Sequence, residues 1–160
     1  MGNCLSAVIY LDRSVSMSDK NTQIQNATKV ILERNREKIG SLIDQILEHA
    51  KGHAFGDSSL FAIRLAIEEA ITNAFEHGHE NLDASLPIQV EYAVNETEIQ
   101  IAVQDQGPGF SPSDLPDPTL QENLAKPSGR GVMLMKAYMT DVAFNDKGNR
   151  VKLRFECPSL

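Results

Sequence analysis

Two short segments constrain the fold most: Ile88-Gln-Val-Glu-Tyr-Ala-Val94 and Glu98-Ile-Gln-Ile-Ala-Val103. Both alternate apolar and polar residues, the period of a strand with one buried face. Only Asn95-Glu96-Thr97 separates them, and that stretch reads as a hairpin turn. An antiparallel pair with one apolar face calls for a covering layer.

Helical stripes supply that layer. Between Arg36 and Lys51 the residues Ile39, Leu42, Ile43, Ile46 and Leu47 recur at three and four, with Gly52 as the stop. After Gly56, Asp57 or Ser58 can serve as N-cap of a second helix, whose stripe is Leu60, Ile63, Ile67, Ala70, Ile71 and Ala74. That helix is expected to end at Gly78. A short β-compatible run lies between Gln23 and Leu32, with an ambiguous period. Residues 105–128 form a long Pro- and Gly-rich loop, with a short helical piece near Leu120 to Leu124. Gly131 to Tyr138 is helical in pattern. Thr140 to Phe144 and Arg150 to Glu156 close the chain as a strand pair turned at Asp146-Lys147-Gly148-Asn149. This order predicts an α+β fold: a two-layer α/β sandwich, its mainly antiparallel mixed sheet covered on one face by helices. Residues 1–20 read as a poorly patterned N-terminal extension, and residues 21–160 as one domain.

Composition narrows the partners. The 160 residues carry 15 basic and 22 acidic side chains, a net charge of −7. Such an acidic domain is a poor candidate for nucleic acid or an anionic membrane surface, which call for a basic face, while a local basic pocket for a nucleotide stays open. Cys4 and Cys157 form no metal-ligand spacing and read as free thiols in a reducing cytosol. No apolar run approaches the roughly 20 residues that span a bilayer. Met1-Gly2-Asn3-Cys4-Leu5-Ser6 matches a lipidation pattern that has meaning only in a eukaryotic cell, and it reads as a coincidence.

Three motifs carry chemistry. On a helical wheel Asn73 falls about 40° and His77 about 80° from Glu69, a polar stripe beside the core stripe. A Glu there supplies an acceptor or a base, and an Asn supplies a carbonyl oxygen suited to Mg²⁺. Alone, this stripe reads as a solvated helix face. Asp105-Gln106-Gly107-Pro108-Gly109-Phe110 follows an apolar strand. Two glycines two apart let backbone turn sharply against a flat ligand, and the Asp can accept from an amino group. Lys126-Pro127-Ser128-Gly129-Arg130-Gly131 opens a helix, where free N–H groups and the dipole favour phosphate. Neither glycine motif is a dinucleotide fingerprint or a P-loop.

In order and spacing, Glu69-x-x-x-Asn73, Asp105-x-Gly107-x-Gly109 and Gly129-x-Gly131 resemble the N, G1 and G2 boxes of one ATPase superfamily. That superfamily holds gyrase, the heat-shock-90 chaperones, histidine kinases and the MutL proteins. Glu69-Ala-Ile-Thr-Asn73-Ala-Phe-Glu-His77-Gly78 and the run from Pro116 to Gly131 look like the stand-alone anti-sigma factor serine kinases of bacteria. The resemblance implies ATP under a lid at about Ser111 to Ser128. It implies that Asp105 hydrogen-bonds the adenine amino group, that Thr72 supports the same end, and that Gly107 and Gly109 line the base pocket. Asn73 would hold Mg²⁺. Gly129, Arg130 and Gly131 would wrap the phosphates, with Lys126 adding charge. Glu69 would be the base towards a serine hydroxyl. An anti-sigma antagonist and a sigma factor are the implied partners, and a cytoplasmic homodimer the implied state.

The residues leave open kinase, hydrolase, an ATP/ADP-binding regulatory switch, and the ATP-binding subunit of a split histidine kinase. His77 reads as a structural hydrogen-bonding residue, and His49 and His53 as surface residues.

Overall fold

A computed structural model describes residues 24–53, 55–111 and 130–157. Strand β1 (Thr28–Leu32) is followed by helices α1 (Arg36–Gly52) and α2 (Asp57–Asn73). Strands β2 (Ile88–Val94) and β3 (Glu98–Gln104) form the expected hairpin, and α3 (Arg130–Tyr138), β4 (Asp141–Phe144) and β5 (Arg150–Glu156) complete the chain. The five strands make one sheet in the order β1-β2-β3-β5-β4. Every pairing among them is antiparallel, so the anticipated mixed sheet has no parallel member among the described residues.

The register explains the layers. Val30, Val90, Val103, Val151 and Phe144 stand in one row across the sheet, and Tyr92, Ile101, Leu153 and Val142 in the next. Side chains alternate across a sheet, so these rows share a face. On that face they meet the buried stripes of α1 (Leu42, Ile43, Ile46, Leu47) and α2 (Ile63, Ala66, Ile67, Ala70, Ile71). Fully burying one such Ile stabilises by roughly 1.5–3 kcal/mol. The opposite face carries Lys29, Glu91, Gln104, Arg150 and Lys152. There Arg150 and Glu91 form a buried ion pair at 2.8 Å, with Lys29 3.6 Å from the same carboxylate. Burial pushes Glu91 up, but the hydrogen bond and charge of Arg150, with the charge of Lys29, outweigh it and leave the carboxyl below its ordinary range.

Local chemistry sets the element ends. Asn35 caps α1 by accepting from the Glu37 and Lys38 amides, both at 3.0 Å. Asn95 Oδ1 accepts from the Thr97 and Glu98 amides, each at 2.9 Å, and so closes the β2–β3 turn. Helix α2 departs from expectation at both ends. Its N-cap is Gly56, with no side-chain cap bond, and Asp57 lies inside the first turn. Nor does it run unbroken to Gly78: after Asn73 the chain widens into a π-helical turn, Ala74–Gly78. Such single turns are rare and cluster at functional sites. No helix among the described residues is long and apolar enough to cross a membrane.

Candidate nucleotide-binding site

The end of β3 and the end of α2 meet at Asp105. Its Oδ1 accepts from the Gly107 amide at 2.7 Å, which folds the turn back on itself. Glycines make this contact feasible. A Cβ at Gly78 would stand 2.3 Å from Asp105 Cγ, and one at Gly107 would stand 1.9 Å from the Gly78 carbonyl oxygen. The Asp105 carboxyl is half-buried, and burial pushes it above the ordinary aspartate range. The Gly107 N–H and the charge of Lys147 pull it back only in part.

The β4–β5 turn clamps the same loop. Asp105 N donates to Asn149 O, and Asn149 Nδ2 donates to Asp105 O, both at 3.0 Å. Asn145 in turn donates to Asn149 Oδ1 at 2.9 Å. Gly109 and Gly148 both have φ of 75°. A Cβ on Gly109 would meet the Lys147 carbonyl oxygen at 1.9 Å, and one on Gly148 the Phe110 carbonyl oxygen at 1.8 Å. Phe110 and Phe144 pack edge to face across the clamp.

The other end of the site is built on α2 and the start of α3. Glu69 and Asn73 lie one turn apart and face Gly131. A Cβ on Gly131 would stand 2.6 Å from Glu69 Oε2 and 3.0 Å from Asn73 Nδ2. A carboxylate and an amide thus converge on a helix N-terminus, where backbone N–H groups and the dipole attract anions. Neither side chain has a hydrogen bond or ion pair among the described residues.

A cavity of about 400 Å³ joins the two ends. Asn73 lines it near one end and Asp105 and Asn149 at the other, with Ala70, Ala74, Val103, Met135 and Phe144 between. Small-molecule sites have this size and character, an apolar slot with few polar groups. A flat base with an exocyclic amino group fits the Asp105 end, and phosphates fit the α3 end. Among the described residues no cluster of three His, Cys, Asp or Glu could cage a metal. Mg²⁺ is commonly held by one or two protein oxygens plus substrate phosphates, and Asn73 Oδ1 can be such an oxygen.

The residues expected at the site are distributed as follows. Asn73, Asp105 and Gly109 line the cavity. Gly107 is buried beneath the Asp105 turn, while Glu69 and Gly131 adjoin the cavity through Asn73. Arg130 begins α3. Thr72 is not brought in: it is exposed, because one residue before Asn73 turns a helical side chain about 100° away. Lys126, Gly129, the lid beyond Ser111, the helical piece near Leu120, Cys4 and residues 1–20 lie outside the described residues. The hydrogen-bonding role expected of His77 belongs to His79; His77 is exposed and lines the cavity. Sequence reasoning also missed Asn145, Gly148 and Asn149. Their signal was the turn itself, two asparagines bracketing Asp146-Lys147-Gly148.

Comparison with known proteins places this geometry. Residues 32–155 match the model of the histidine kinase-like ATPase domain. An anti-sigma F factor of Clostridium beijerinckii is 32% identical over 57% of this chain and 65% of its own length. A serine-protein kinase RsbW of Oceanobacillus iheyensis is 29% identical over 58% of this chain and 62% of its own length. The chain thus spans just under two thirds of each. The crystal structure of the RsbU and RsbW domains of Rv1364c from Mycobacterium tuberculosis superposes with a TM-score of 0.54 at 18% identity, over 81% of this chain and 31% of that one, a likeness of fold. The family match takes in both ends of the cavity, from Glu69 and Asn73 to the Asp105 turn and its Asn149 clamp, and the chain belongs to the histidine kinase-like ATPase domain family.

Proposed function

We propose that this chain is an ATP- and Mg²⁺-dependent serine/threonine protein kinase that regulates transcription by partner switching. Its substrate is a serine on an anti-sigma antagonist, and its second partner is a sigma factor. The observation that carries this reading is the convergence of Glu69 and Asn73 on Gly131 at one end of a cavity whose other end is Asp105. The names of the relatives support it.

Asp105 accepts from the adenine amino group, and Gly107 and Gly109 let backbone approach the base. Asn73 offers its carbonyl oxygen to the metal. Arg130 and Gly131, at the start of α3, hold the phosphates, and the resemblance of the Lys126–Gly131 motif assigns Lys126 and Gly129 to the same task. The serine oxygen would bond to the γ-phosphorus of ATP as the bond to ADP breaks, and Mg²⁺ held by Asn73 would neutralise the phosphate charge. Glu69 orients the incoming serine hydroxyl and accepts its proton. The kinase works as a cytoplasmic homodimer without touching nucleic acid or membrane.

The test is incubation of the protein with labelled ATP, Mg²⁺ and candidate antagonist proteins. Label on a serine of one antagonist is the expected result. Unlabelled serines across all candidates, with ATP bound, would sink the kinase reading and favour a binding switch.

A further inference from the structure

We propose that His79 is a positioning residue for base selection: its Nε2 holds the Gln106 peptide and thereby sets where the Asp105 carboxylate points. The inference rests on reading the cavity as an adenine-nucleotide site. His79 is 4% exposed and ends the π-helical turn. Its ring stands edge-on to Phe75, with centroids 6.0 Å apart. Gln106 N donates to His79 Nε2 at 3.0 Å. An acceptor nitrogen carries no proton, so the neutral ring has its proton on Nδ1. Nδ1 is buried and has no hydrogen-bond partner among the described residues. A residue kept only for packing would carry no such atom; an apolar ring would fill the space at lower cost. The polar side chain is explained by what its other nitrogen does.

That nitrogen acts on the base end of the cavity. Gln106 is held at two points, its amide by His79 and its side chain by the Pro87 carbonyl at 2.8 Å. Gly78 and His79 are consecutive. The first lies against the Asp105 carboxylate, where a Cβ would stand 2.5 Å from Oδ2, and the second grips the next peptide. Without the imidazole acceptor the part-buried Gln106 N–H must find another partner. The Asp105 carboxylate is one residue away, and it is the acceptor that base recognition needs. His79 keeps the two apart.

The experiment compares ATP and GTP binding by calorimetry in the unaltered protein, His79→Phe and His79→Gln. Phe keeps a ring and removes the acceptor; Gln restores an acceptor oxygen. His79→Phe should weaken ATP binding about tenfold and shrink the preference for ATP over GTP by a similar factor, and His79→Gln should return to within about threefold. Equal losses in both variants, or no loss in His79→Phe, would overturn the proposal while leaving the site intact. An unaltered protein that binds no ATP would remove the site reading itself. Nitrogen-15 spectra of the unaltered protein give a second readout that needs no variant to fold. They should show His79 protonated on Nδ1 with Nε2 accepting, and the opposite tautomer overturns the proposal.

Discussion

The base end and the phosphate end of the cavity are built on different physical principles. Around Asp105 the backbone is locked: Gly78, Gly107, Gly109 and Gly148 each touch an opposing atom closely enough to exclude a Cβ, and Asn145 and Asn149 tie the strands behind them. Around Asn73 the side chains of Glu69 and Asn73 face Gly131 across a gap that only a flexible carboxylate and an amide border. One end is organised before any ligand arrives, as recognition of a rigid base requires. The other leaves its polar groups ready for charge that phosphate and metal bring. Under the proposed function, selectivity resides in a scaffold and catalysis in two side chains on one helix.

The largest expected effect tests the catalytic end. Glu69→Ala should lower the rate of phosphoryl transfer by about 10²–10⁴-fold, the range for loss of a general base. ATP affinity should stay within about threefold, since the residue borders the cavity without lining it. Transfer assays and calorimetry check both numbers. An unchanged rate would move the catalytic role elsewhere.

Next in size is the contrast between glycines. Gly148→Ala puts a Cβ 1.8 Å from a backbone oxygen at a φ of 75°, and should destabilise by about 2–4 kcal/mol in urea unfolding. Gly131→Ala meets only the side-chain tips of Glu69 and Asn73 and should cost under about 1 kcal/mol, while weakening nucleotide binding. Equal destabilisation by the two substitutions would erase the difference between the ends.

The smallest effect is a response to pH. The Asp105 carboxyl sits above its ordinary range in the fold, so the folded state favours the protonated form. Acidification through that raised value stabilises the fold at this position, yet it removes the acceptor and weakens ATP binding. Glu91 behaves oppositely. Its value is lowered, so its contribution is full above the ordinary glutamate range and is lost only as pH falls through the lower folded value. ATP affinity should therefore decline at a pH where the fold is intact. Circular dichroism beside calorimetry across pH 4 to 7 reads the order. Simultaneous loss of both would contradict it.

Much of this architecture is legible in residue order. Period-two alternation in Ile88–Val94 and Glu98–Gln104 marks the hairpin, because every second side chain enters the core. The polar stripe of Glu69 and Asn73 follows from helical spacing. The π-helical turn was not legible. It depends on Gly78 and His79 docking against Asp105 and Gln106, contacts 27 positions apart in the case of His79 and Gln106. Thr72 shows the same limit from the other side, since adjacency in sequence to Asn73 places it on another helix face. The Asn145–Asn149 clamp looks like an ordinary turn until β5 is seen beside β3. Side-chain period reports which face a residue occupies; it carries nothing about which distant loop completes a site.

The most direct measurement of the central claim is the affinity for ATP of the unaltered protein and of Asp105→Asn. The substitution keeps the shape and turns a carboxylate acceptor into a mixed amide. A charged hydrogen bond is worth about 1.5–3 kcal/mol, so binding should weaken by roughly 10- to 100-fold with the fold unchanged. Unchanged ATP affinity in Asp105→Asn would contradict the assignment of the base end and, with it, the orientation of the whole site.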